Sequence, residues 1–107
     1  MNDRKSTLSN SFNFEFSTEL WSCTGPGAWH FVTLPEDVAD FVRDLNGKHL
    51  GFGTVRVHVK IADVEWNTSL FPDKESGSFL LPIKSDVRKN ASLSVGDQMT
   101  VKLSLNI

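Results

Sequence analysis

Four stretches of this chain alternate apolar and polar residues strictly enough to fix its fold class. Phe12, Phe14, Phe16, Thr18 and Leu20 interleave with Asn13, Glu15, Ser17 and Glu19. Val55, Val57, Val59 and Ile61 interleave with Arg56, His58 and Lys60, and Val64, Trp66, Thr68 and Leu70 with Glu65, Asn67 and Ser69. Met99, Val101, Leu103, Leu105 and Ile107 form the last such run. A period of two sends successive side chains to opposite faces of a strand, so each stretch predicts a strand with one buried and one wet face. The shorter runs "AWHFVTL" and "SFLLPI" bring the expected total to about six strands, and Ala62-Asp63 is short enough to be a hairpin turn. The expected class is mainly β.

Two short helices fit between these strands. Pro35 suits a first helical turn because its missing N–H has no partner there, and Glu36 and Asp37 set negative charge at the positive end of the helix dipole. Val38, Phe41, Val42 and Leu45 then make one apolar stripe, and Asn46-Gly47 is a suitable stop. A second, more basic helix is expected around "KSDVRKN". Gly25, Pro26 and Gly27 predict a turn, and "PDKESG" a polar loop.

Length and composition bound the rest. With 107 residues, 39% of them hydrophobic, and with eight Phe and three Trp, the chain encloses one core but hardly two. Residues 1–11 are polar and unpatterned and are expected to be a disordered tail, leaving 12–107 as a single domain. No run of ~18 apolar residues exists to span a membrane, and "MNDRKSTLSN" lacks the apolar stretch of a signal peptide; a cytoplasmic monomer is expected. Cys23 is the only cysteine, so an internal disulfide is excluded and a buried thiol is expected. The formal charge of -2 counts against non-specific nucleic-acid binding, which gains affinity by displacing phosphate counterions with many cations. Residues 1–50 hold four Lys or Arg against seven acids, and residues 51–107 seven against six, so any basic patch lies in the second half.

The two halves echo each other. "WHFVTLPEDVADFVRDLNGKHLGFGTVRVHVKI" and "GSFLLPIKSDVRKNASLSVGDQMTVKLSL" both read strand, Leu-Pro, helix with Val, Gly-containing turn, alternating strand. Either the chain is an internal duplication or two units share a common plan. Six strands, two short helices and no spare edge predict a small closed β-barrel.

"LPIKSDVRKNASLSVGDQMTVKL" resembles the strand-helix-Gly-Asp-strand unit of the AbrB and MazE half-barrels, over about a quarter of the chain. In that group two half-barrels from two chains interlock and bind DNA; here the second unit lies in the same chain. A longer resemblance runs through "FEFSTELW", "GAWHFVTLP", "GTVRVHVKI", "EWNTSLFPDK", "SFLLPIKSDVRK" and "GDQMTVKLSL". Together these look like the small bacterial domain of unknown function found beside or fused to the bacteriocin-protection (YdeI/OmpD-associated) module. The resemblance implies a compact barrel of the double-split, AbrB-like type, and supplies no established activity. The fused module is absent, so a partner protein is expected to substitute for it.

Several residues are candidates for function. Lys84 and Arg88 are four apart, which on a helix gives one shared face, with Lys89 adjacent and Ser85 able to add an N-cap oxygen; this is the strongest anion-binding candidate. The competing reading is a solvated basic face near Asp86. Arg56, His58 and Lys60 share a strand face, either as a cationic stripe or in cross-strand ion pairs with Glu15 or Glu19, worth roughly a few tenths of a kcal/mol each. Trp66, with Thr68 and Ser69 beside it, and Trp21 and Trp29 offer an aromatic wall for a flat ligand, against core packing as the default. Gly96 and Asp97 read as a turn and a cap for backbone N–H groups rather than as catalytic groups, and Pro35 and Pro82 as structural punctuation.

No cofactor or metal is expected. His30, His49 and His58 show no metal-ligand spacing, and Ser69, His30 and Asp63 lack the G-x-S-x-G elbow that would mark a nucleophile. "GFG" precedes a strand and so is no phosphate loop. The expected function is therefore a non-enzymatic binding module for an anionic small molecule or a protein partner, using Lys84, Arg88, Trp66, Ser69 and Arg56. The alternative is a nucleic-acid-binding or antitoxin-like regulator, by analogy with AbrB-like barrels and on the cations Arg88, Lys89 and Lys102.

Overall fold

Residues 11–23, 29–45 and 53–106 are described by a computed structural model of the chain. Its elements, in order, are β1 (Ser11–Glu19), β2 (Trp21–Ser22), β3 (His30–Thr33), α1 (Glu36–Leu45), β4 (Val55–Ile61), β5 (Val64–Asp73), β6 (Ser78–Pro82), α2 (Ser85–Asn90) and β7 (Gln98–Asn106). The expected tail over 1–10, the Gly25-Pro26-Gly27 turn, the Asn46-Gly47 stop, His49, residues 51–52 and Ile107 lie outside the described residues. Ser11, expected in the tail, already pairs with Asn106. Among the described residues no helix is long and apolar enough to cross a membrane.

The alternating runs form strands for the reason their period implies. Along β4 the buried positions are Val55, Val57, Val59 and Ile61, while Arg56, His58 and Lys60 face outward. Along β7, Met99, Val101, Leu103 and Leu105 are buried. The seven strands hydrogen-bond in the order β1-β7-β4-β5-β6-β3-β2, every neighbouring pair antiparallel.

This is an open half-barrel, which corrects the expected closed barrel of about six strands. No ladder among the described residues joins the two ends of the order, β1 and β2. These ends are consecutive in sequence, separated by Leu20 alone, so the chain itself turns the corner. Two backbone bonds fix that corner: Leu20 N–H donates to the Asp97 carbonyl (3.0 Å) and Gly96 N–H to the Leu20 carbonyl (2.8 Å). Thr18 Oγ1 adds a bond to the Thr33 carbonyl (3.1 Å).

The pairings follow a two-fold pattern. Counterpart meets counterpart: β3 pairs with β6, and β4 with β7. β5 pairs with β4 as far as Leu70 and with β6 from Phe71 onward. Residues 11–22 do the same, pairing with β7 as far as Glu19 and with β3 from Trp21. Leu20 and Leu70, at the two changes of partner, are both 0% exposed. The helix starts match as well, with Val38 N–H on Asp37 Oδ1 and Val87 N–H on Asp86 Oδ1, each at 2.9 Å.

Three local expectations are corrected. α1 buries Val38, Ala39, Val42 and Leu45, whereas Phe41 lies outside that stripe, with its ring 5.4 Å from Phe12 and 5.3 Å from Phe14. The sheet's own aromatic rim thus draws Phe41 away from the core. β5 extends through Pro72 and Asp73, expected in the loop. Beyond Leu70 it has left β4, so the missing N–H of Pro72 costs no ladder bond on that side. Cys23 is exposed, not buried, because it follows the two-residue β2, where the sheet ends.

Candidate functional site

The β3–β6 ladder builds the most functional-looking place in the molecule. Phe31 pairs with Pro82, and the Ile83 N–H donates to the His30 carbonyl (2.9 Å), carrying the ladder one residue past β6. That register continues to set Trp29 across from Lys84. β6 has to end there, because Pro82 lacks a donor and α2 begins at Ser85. The result is a recess of about 320 Å³ lined by Trp29, His30, Pro82, Ile83, Lys84, Ser85 and Arg88.

Its walls divide by chemistry. Pro82 and Ile83 are buried and form an apolar floor. Lys84 is exposed and Arg88 half-buried, one turn apart, with Arg88 N–H donating to the Lys84 carbonyl (3.0 Å). Neither cation has a salt bridge among the described residues. Lys84 occupies the N-cap position of α2 with no side-chain cap, so Ser85 is the first helical residue and not the cap. Arg88 Nε and His30 Nδ1 are both closed off from solvent, and neither has a hydrogen-bond partner among the described residues. Buried polar atoms are normally satisfied, and each orphan costs about 1–3 kcal/mol. Lys84 and Arg88, without salt bridges among the described residues, give the recess the positive charge that an anion would neutralise.

The other candidates lie elsewhere. Trp66 faces Val59 on the inner side of the sheet and packs against the core, its Nε1 buried without a partner among the described residues. Ser69 is half-buried opposite Arg56. Arg56 lines a shallow outer depression of about 130 Å³ with Val57, His58, Asn67 and Ser104. The expected five-residue set is therefore divided: Lys84 and Arg88 share one recess, and Trp66, Ser69 and Arg56 lie outside it.

On the outer face of β4, His58 is the best-held cation. Its Nδ1 lies 2.8 Å from Asn67 Oδ1 and its Nε2 2.9 Å from Glu65 Oε1. Two acceptor oxygens suit a ring that donates from both nitrogens, so the Glu65 bond first and the Asn67 bond second raise its pKa, against a smaller loss from desolvation. The same bond lowers that of Glu65. The partner acid comes from β5, and not from Glu15 or Glu19, because β7 stands between β4 and β1.

A larger hollow of about 550 Å³ near α1 contains Arg43, but this guanidinium is already occupied. It pairs with Asp40 (2.7 Å), donates to the Gly77 carbonyl and lies 6.0 Å above the Phe79 ring. Gly96 and Asp97 form the turn before β7. Gly96 takes φ +94°, Asp97 N–H donates to the Ser94 carbonyl (3.0 Å), and Asp97 Oδ2 accepts from Ser94 N–H (2.8 Å). Pro35 accepts the first helical bond of α1 through its carbonyl, from Ala39 N–H (2.9 Å), so it precedes the first turn instead of lying in it.

Trp29 and His30 were not among the residues the sequence singled out for the Lys84–Arg88 site. The signal that could have found them is the paired Leu-Pro strands: if the two units are two-fold mates, their strands lie side by side and the residues before one face those after the other. No curated protein matches the sequence. A family model described as "Domain of unknown function (DUF1905)" matches residues 16–103, and the chain belongs to that family.

Proposed function

We propose that the protein is a non-enzymatic binding module that takes an anionic group, from a small molecule or a protein partner, in the recess between the start of β3 and α2. The observation that carries this reading is the convergence of Lys84 and Arg88, which have no salt bridge among the described residues, on one recess of about 320 Å³. A concave site with an apolar floor and a few convergent polar groups is the usual form of a small-ligand site. Binding to the folded state alone stabilises it by RT ln(1 + [L]/Kd), so about 2.7 kcal/mol at a hundredfold excess over Kd. Thermal unfolding in sulfate, phosphate and short carboxylates, against chloride at equal ionic strength, is expected to show stabilisation that the Lys84→Ala/Arg88→Ala variant loses. Equal melting in all of these salts for the unaltered protein would sink the reading.

The two-fold pairing pattern supports kinship with the double-split AbrB and MazE half-barrels, and with it a nucleic-acid or antitoxin-like role as the second reading. Charge weighs against that role. Lys60 faces Lys102 across β4 and β7, but Glu65 and Glu15 are their outer neighbours in the same row. Duplex binding at ~50 mM salt, where phosphate contacts are strongest, would favour it over the anion module. In the favoured reading the protein works as a cytoplasmic monomer, and a bacteriocin-protection module is its protein partner.

A further inference from the structure

We infer that the ligand of this recess is a flat aromatic acid, its ring laid on Trp29 and its carboxylate held by Lys84 and Arg88. The inference rests on the anion-binding reading and adds the ring. Trp29 is 59% exposed, the most exposed of the large hydrophobic side chains described. It is nevertheless backed on one side by other rings. Its ring stacks on Phe31 at 6.2 Å with an interplanar angle of 10°, and Phe31 meets Trp21 at 5.3 Å. Trp21 is tethered in turn by its Nε1–H, which donates to Thr33 Oγ1 (2.9 Å).

The three rings thus form a backed row whose outermost plate opens on the recess with the cations. The indole stacks on Phe31 yet leaves most of its apolar surface in water beside the cations. A ligand ring that extends the row removes that surface from water and adds an offset stack. Lys84, across from Trp29 in the strand register, and Arg88, one helical turn further on, supply the charge, and Pro82 and Ile83 line the same recess with apolar surface. At about 320 Å³ the recess is at the small end of ligand sites, a size that fits one or two fused rings.

Calorimetric titration with three probes separates the parts: indole-3-acetate, the saturated cyclohexylacetate, and acetate. The aromatic acid is expected to bind about tenfold tighter than the saturated one, the size of one stacking contact. Trp29→Ala should abolish that difference, and Trp29→Phe should restore most of it. Arg88→Gln should weaken all three probes, by roughly tenfold for a lost charge-assisted bond. Equal affinity for the aromatic and saturated acids in the unaltered protein would overturn the ring assignment and leave the anion site standing. Absence of binding by all three, together with no stabilisation by inorganic anions, would overturn both.

Discussion

At the scale of single residues, His58 shows how a surface side chain makes stability depend on pH. Its pKa is raised above the ordinary value of 6.5, so its contribution is complete below that value and is lost as pH climbs through the raised folded value. Glu65 behaves oppositely. Its pKa is lowered from 4.5, so its contribution is complete above 4.5 and is lost as pH falls through the lowered value. The pair is therefore strongest between roughly pH 4.5 and 6.5, and its contribution falls away from there to the raised His58 value. Denaturant unfolding across pH 3–9 is expected to show this plateau, and His58→Ala should flatten its alkaline shoulder. An unchanged profile would mean that the exposed bond is spent on solvent. Residue types alone indicated that Arg56, His58 and Lys60 share an outward face. They could not indicate the partner, since Glu15 and Glu65 are equally plausible until the strand order is known.

At the scale of elements, α2 stops in a way that leaves room for improvement. Ser92 takes φ +56°, with its N–H on the Lys89 carbonyl (3.3 Å) and Leu93 N–H on the Arg88 carbonyl (2.8 Å). These are the two bonds of a Schellman ending, in which the left-handed position ordinarily belongs to glycine. Ser92→Gly is expected to raise stability by about 1 kcal/mol, read as a higher denaturant midpoint at constant m. A fall would show that the serine side chain contributes more than its backbone strain costs. Most strands were legible because alternation reports directly on which side faces the core. β2 was not, since two residues carry no period, nor was the continuation of β5 through Pro72, which depends on a neighbouring strand having already left. The helix stripe misassigned Phe41 and passed over Ala39 because periodicity locates a face and size does not: the aromatic found Phe12 and Phe14 at the rim, and the small residue fitted the interior. For the candidate site, the spacing of Lys84 and Arg88 suggested one side of a short helix. Trp29 and His30 reach the same recess through cross-strand register, a non-local fact that no window of sequence contains.

At the scale of the whole molecule, the two-fold pairing favours duplication over a merely shared plan. The halves agree in strand neighbours, in the change of partner at Leu20 and Leu70, and in the Asp–Val contact that opens each helix. One element breaks the agreement: residues 11–22 precede their unit in sequence, although their counterpart, β5, follows β4. The corner at Leu20 thus has a consequence for chain order. Ser11 lies opposite Asn106, so an Asn-Gly link between them would make an ordinary two-residue hairpin. A circular permutant opened between β2 and β3 and closed with that link is expected to fold with the same far-ultraviolet dichroism and a single cooperative transition. Failure to fold would mean that β1 must be joined to what precedes β3 for assembly to begin. Success would leave a chain that runs strand, helix, strand, strand twice over, a tandem repeat whose seam the native order of the gene conceals.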